Sequence, residues 1–251
     1  MPSCLRIATA CAFAAVIAIS LAACGSAGSG GTATAKAPAS PLAGLTADQI
    51  VQKAFKDLAA ASSVRINGTV PSQDGNIAID ITDVAPASCT GTVTLAPTGA
   101  SGSRMAVIIQ VDGTAYLKLN QGFLESLHVP ASEFPVLNGK YIKSTSSSAL
   151  ADFSHLCDLP TLVSAFTQGG DTGLVKAGST AVDGQPALAI NQPSAAGEGT
   201  VYVSESAAPE ILGLKVTGSD AGFLDFSKFN APVAIAAPPA ADIFSEPKSL
   251  Q

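Results

Sequence analysis

The chain has 251 residues, 47% of them hydrophobic and 13% charged, and its 13 basic against 19 acidic side chains leave a net charge of −6. That balance argues against a nucleic-acid partner, because phosphate binding needs clustered Lys and Arg that this chain lacks. Trp is absent and aromatic residues make up only 5%, so a core must be built mainly of aliphatic side chains.

Residues 1–23 read as a signal peptide: Arg6 is their only charge, and it precedes a run of Ala, Ile, Val, Leu and Phe that ends on small residues. A spanning helix needs about 20 apolar residues with polar anchors, and this run is shorter and interrupted by Thr9, Cys11 and Ser20. Its last residues, Leu21-Ala22-Ala23-Cys24, resemble the bacterial lipobox, which implies acylation of Cys24 and cleavage in front of it. Residues 24–45 are rich in Gly, Ala, Ser, Thr and Pro and read as an acylated flexible tether. Residues 46–251 remain for a single α+β domain. Cys4 and Cys11 leave with the signal, so Cys89 and Cys157 are the two cysteines of the folded part. An exported compartment permits them to form a disulfide; two free buried thiols are the other reading.

Along the domain, Thr46 and Gln49 have capping-box spacing, and Val51, Phe55 and Leu58 follow on one helical face. From Val64 the period changes to two. In "NIAIDITDV" Ile77, Ile79 and Ile81 share a face; "MAVIIQV" repeats the pattern with Val107, Ile109 and Val111, and "TAYLKL" with Leu117 and Leu119. The pairs Asp74-Gly75, Asp112-Gly113 and Asp183-Gly184 each lie between alternating segments and predict hairpins, hence an antiparallel sheet of sequence neighbours. Further strands are expected at 64–70, 90–95, 174–177, 187–191, 200–204 and 211–216, about eight to ten in all. Gly122–Leu127 and Leu150–Phe166 carry helical patterns, the second broken by Pro160. The predicted fold class is α+β: a single large curved antiparallel sheet, a half-barrel, with helices covering its concave face. Alternation reports burial and not emptiness, so an apolar hollow and a filled core fit the pattern equally.

The order of lipobox, tether, amphipathic helix "LTADQIVQKAFKDLAAASSVRINGTV", hairpins through "VDGTAYLKL", "GKYIK", a helical insertion, "VDGQPALAI", "TVYVSESAAPEILGLKV" and "DFSKFNAPVAIAAPP" resembles the actinobacterial lipoproteins of the LppX and LprG type, related in fold to periplasmic lipoprotein carriers. The resemblance implies an apolar pocket for a multi-acyl lipid or glycolipid that is carried across the cell envelope. It also implies a pocket lining formed by Ile77, Ile79, Ile81, Val107, Ile109, Val111, Leu117 and Leu119.

Catalytic chemistry is not expected. Ser154, His155 and Asp158 are neighbours in "FSHLCDLP", but no G-x-S-x-G motif accompanies them. His128 and His155 lack ligand spacing, so neither a metal nor another cofactor is expected. The expected partners are a lipid or glycolipid, the membrane through the N-terminal acyl anchor, and an envelope exporter; the expected location is the extracytoplasmic face of the cell membrane. The rival reading is a membrane-anchored scaffold or interaction lipoprotein with a filled core and no ligand.

Overall fold

Thr46 starts the first helix by the reciprocal contacts its spacing predicts. The Gln49 N–H donates to Thr46 Oγ1 at 3.2 Å, and the Thr46 N–H donates to Gln49 Oε1 at 2.8 Å, which satisfies two otherwise orphaned helix donors. Helix α1 (Ala47–Ala59) then buries Ile50, Val51, Ala54, Phe55 and Leu58 along one side and pairs Lys53 with Asp57 at 2.7 Å on the other. This computed structural model describes residues 40–72, 75–98, 102–144, 155–167, 173–194, 197–218 and 221–245. Cys24, with the rest of the signal and most of the tether, lies outside the described residues, as do Asp74, Leu150 and Ser154.

After α1 come β1 (Ser63–Ser72), β2 (Gly75–Val84), β3 (Ser88–Pro97), β4 (Arg104–Val111) and β5 (Thr114–Leu119). Next are α2 (Gln121–Ser126), α3 (Phe134–Leu137), β6 (Tyr141–Lys143) and α4 (Leu159–Thr167), followed by β7 (Val175–Val182), β8 (Gln185–Ser194), β9 (Gly197–Ser204), β10 (Ile211–Val216), β11 (Gly222–Ser227) and β12 (Ile243–Ser245). The strands form one open, curved sheet in the order β12-β6-β5-β4-β3-β2-β1-β11-β10-β9-β8-β7. Asp112-Gly113 and Asp183-Gly184 make the tight turns expected of them. All four residues have positive φ, between 47° and 80°, the backbone that a two-residue hairpin requires and that Gly adopts without penalty.

Three features depart from the sequence reading. The sheet has two joints that are not between sequence neighbours: β1 pairs with β11, and β12 joins β6 in parallel. Twelve strands are present among the described residues, more than the eight to ten expected, because the short β6, β11 and β12 add to those read from alternation. Pro160 does not itself interrupt a helix: the expected break falls at Asp158, after a 3-10 turn at 155–157, and α4 starts at Leu159. It sits in the first turn of α4, where a missing N–H costs no intrahelical bond.

Cross-strand register explains how the inner face is built. Residues paired in an antiparallel sheet point the same way, so Phe226, Ile66, Ile81, Gly91, Ile108, Leu117 and Ile142 form one row across seven strands. All of them but Gly91 are at most 3% exposed. Glycine is required in the middle, since a Cβ there would lie 2.1 Å from the Asp80 carbonyl oxygen. Gly91→Ala must therefore force β2 and β3 apart. We expect a loss of about 1–3 kcal/mol from overpacking, read as a lower urea midpoint with unchanged secondary structure.

Candidate functional site

The helix-covered face carries two apolar clusters. One joins α1 and the α4 residues Leu159 and Val163 to Val64, Ile66, Ile190, Val203, Ile211, Leu224 and Phe226. The other joins α2, Val129 and Leu137 to Ile81, Val93, Ile108, Leu117 and Ile142. Asn120 anchors α2 to the sheet: its Oδ1 accepts from the Phe123 and Met105 N–H groups, each at 3.0 Å, and its Nδ2 donates to the Ser103 carbonyl at 2.8 Å. Where the clusters meet, packing is incomplete. A void of about 30 Å³ remains between the sheet residues Ile66, Ile79, Ile81, Asp83 and Leu224 and the covering Leu156 and Leu162.

That void has room for one or two waters and not for an acyl chain. Seven described residues line it, five on the sheet and two on the cover. Ile79 and Ile81 line the void, and Ile77 packs beside them against the second cluster. Leu117 and Leu119 lie on the same face, three strands away. Val107, Ile109 and Val111 do not. Their cross-strand partners are Thr92 with Lys118, Thr90 with Tyr116, and Thr114 respectively, which places them on the opposite face. The cause is visible in β4, where both parities are apolar: Ala106 and Ile108, at 0% exposure, take the interior.

Alternation also passes over the one polar residue lining the void. Asp83 is in phase with Ile77, Ile79 and Ile81, so an acid follows an apolar row onto the buried face, and this was the signal available in the sequence. It is 2% exposed, and neither carboxylate oxygen has a hydrogen-bond partner. Its cross-strand neighbours are Val64 and Cys89, which supply no donor. Burial, with Asp158 nearby as a like charge, pushes its pKa up to about 7. Gln110 follows Cys89 in the same row; its Nε2 donates to the Ala87 carbonyl at 3.1 Å while its Oε1 is unpartnered.

Cys89 and Cys157 are joined by a buried disulfide with Cα atoms 5.1 Å apart, tying β3 to the segment leading into α4. One residue on, Asp158 caps that helix, its carboxylate accepting from Thr161 Oγ1 at 2.6 Å. His155 is exposed, and Ser154 lies outside the described residues. Among the described residues no group of three His, Cys, Asp or Glu side chains is arranged to hold a metal.

On the other face the polar chemistry is conventional. Arg65 donates to both oxygens of Asp80, at 2.9 and 2.8 Å, and this holds the Asp80 carboxyl below its ordinary range. A trough of about 890 Å³, open to solvent, runs between the β7–β8 turn and strands β1, β10 and β11, with Gly68, Lys215 and Phe223 in its lining. Near it, burial and the adjacent Asp183 push the Asp225 carboxyl up. The trough is wide and unenclosed, with polar groups such as Lys215 and Asp183 at its walls, and its lining brings no catalytic set together.

Fold and site together define an α+β domain built on one open curved sheet, with an apolar helix-covered face. No protein-family model and no curated protein matches the sequence. Among solved structures the chain is similar to LprF from Mycobacterium bovis, at 16% identity over 76% of this chain and 96% of that one, with a TM-score of 0.49. It is also similar to the Mycobacterium tuberculosis lipoprotein LppX, at 14% identity over 74% and 96%, TM-score 0.45. A putative outer membrane lipoprotein-sorting protein domain from Vibrio parahaemolyticus follows at 9% identity over 75% and 95%, TM-score 0.26. No helix among the described residues is long and apolar enough to cross a membrane.

Proposed function

We propose that this chain is a cell-envelope lipoprotein, acylated at Cys24 and tethered by residues 24–45, whose domain over residues 46–251 binds an acyl-chain lipid or glycolipid between its sheet and its helical cover. The observation that carries the reading is the seam: two apolar clusters meet there without filling the space, beneath a short cover whose inward residues are Leu156 and Leu162. A chain enters by displacing those two leucines. It then gains apolar contact worth about 25 cal/mol per Å² buried, a preference that is large against water and small against a bilayer. Such a balance suits a carrier that takes lipid from one membrane-bound partner, an envelope exporter among them, and yields it to the next. Catalysis has no part in this reading.

The small volume of the seam favours a second reading, a membrane-anchored scaffold with a solid interior. Native mass spectrometry on the full chain purified from its own host separates the two. The lipid reading expects a stoichiometric adduct that organic extraction removes and identifies. Reproducible absence of any adduct would leave the scaffold.

A further inference from the structure

Asp83 is the sole polar side chain among those lining the seam void, and its surroundings give it nothing to bind. Across β1 and β3 it faces Val64 and Cys89. From the cover it faces the apolar Leu156 and Leu162, with Asp158 close enough to repel a charge and itself occupied by Thr161. His155, the other titratable group of that segment, is exposed. Asp80, three residues earlier and on the other face, is met by both arms of Arg65. The chain thus partners a carboxylate where it serves the fold, while Asp83 is left at 2% exposure with both oxygens free. A neutral carboxylic acid is the form that an apolar cavity tolerates, and its O–H then lacks an acceptor.

We propose that a bound lipid supplies this acceptor: Asp83, as the neutral acid, donates a hydrogen bond to an ester or hydroxyl oxygen at the neck of an acyl lipid whose chain displaces Leu156 and Leu162, so that lipid and proton bind together. The proposal rests on the lipid reading above and names the ligand class, an uncharged oxygen-bearing acyl lipid, together with the residue that recognises it. By linkage, whatever binds the protonated form is released as the acid ionises.

The test is equilibrium binding of dioleoylglycerol, fluorescently labelled on one acyl chain, to the full chain between pH 6 and pH 8.5. With a titration midpoint near 7, affinity should fall about 30-fold across that range. Asp83→Asn keeps an N–H donor and cannot ionise, so its affinity should not change with pH. Asp83→Leu lacks the donor and should bind more weakly than wild type at pH 6. Should either variant fail to fold, the carboxyl carbon resonance of Asp83 in the wild type serves instead, and saturating lipid should raise its titration midpoint. Binding that is independent of pH in the wild type, that keeps its pH dependence in Asp83→Asn, or that tightens as pH rises, as an amine ligand would, overturns the proposal and leaves the lipid reading standing. No binding of the probe by wild type or Asp83→Asn at any pH overturns the lipid reading and this proposal with it.

Discussion

Replacing Cys89 and Cys157 together by alanine should lower the unfolding free energy by about 4 kcal/mol, the chain-entropy value for cross-linking residues 68 apart in sequence. Both side chains are at most 2% exposed and belong to the second apolar cluster, so alanine also removes buried sulfur and leaves space behind it. The loss should be local as well as global. The covalent tie fixes the start of α4 to β3, and without it the cover is held by Leu159, Leu162 and Val163 packing on the first cluster and Leu156 packing on the second. Urea unfolding measures the global part, and amide exchange in α4 measures the local part. A double variant with wild-type stability and unchanged α4 protection would mean that packing alone holds the cover.

The second large effect is a loss of stability as pH rises. Asp83 has a pKa of about 7 in the folded protein against 3.8 when unfolded. Between those values the native state holds a proton that the unfolded chain has released, so raising the pH opposes folding. The contribution is fully present below pH 3.8, declines through the window and levels off above 7. Its size is about 4 kcal/mol, since each unit of difference corresponds to about 1.4 kcal/mol. Glu210 and Asp225, both pushed up by burial, act in the same sense. Asp80 acts oppositely, because Arg65 lowers its pKa and its contribution disappears on acidification. Comparison with Asp83→Asn cancels these other groups: from pH 4 to pH 8 the stability difference should move by about 4 kcal/mol in favour of the variant. Parallel pH profiles for the two proteins would show that Asp83 ionises normally.

The parts of this fold that were legible in the sequence are those with local causes. The capping box at Thr46 and Gln49, the stripe ending at Leu58 and the Asp-Gly turns at 112–113 and 183–184 depend on residues within a few positions of one another. The α+β class and the large antiparallel sheet follow from the same local periods. What escaped depends on distant partners or on ambiguous parity. In β4 the residues Ala106 to Ile109 are apolar on both faces, so alternation could not say which row turns inward; neighbouring β3 and β5 decide it. Strand β12 is three residues long and joins β6 in parallel, a connection without a turn signal. For the candidate site, Asp83 could be read from its phase with Ile81. The size of the seam void could not, because side-chain periodicity says which atoms leave water and nothing about how tightly they meet.

The junction of β1 with β11 sets the order in which this chain can assemble. Strands β1 to β5, and likewise β7 to β11, are successive hairpins, each able to form as soon as its residues are free to move. Joining Arg65 through Thr69 to Phe223 through Ser227 closes a loop of roughly 150 residues, an entropic cost incurred before the contact stabilises anything. Until that closure, two half-sheets coexist, each with a bare hydrogen-bonding margin in what will become the middle of the molecule. Folding should therefore be slow and limited by this single late event, and during the wait two copies of the chain can exchange halves.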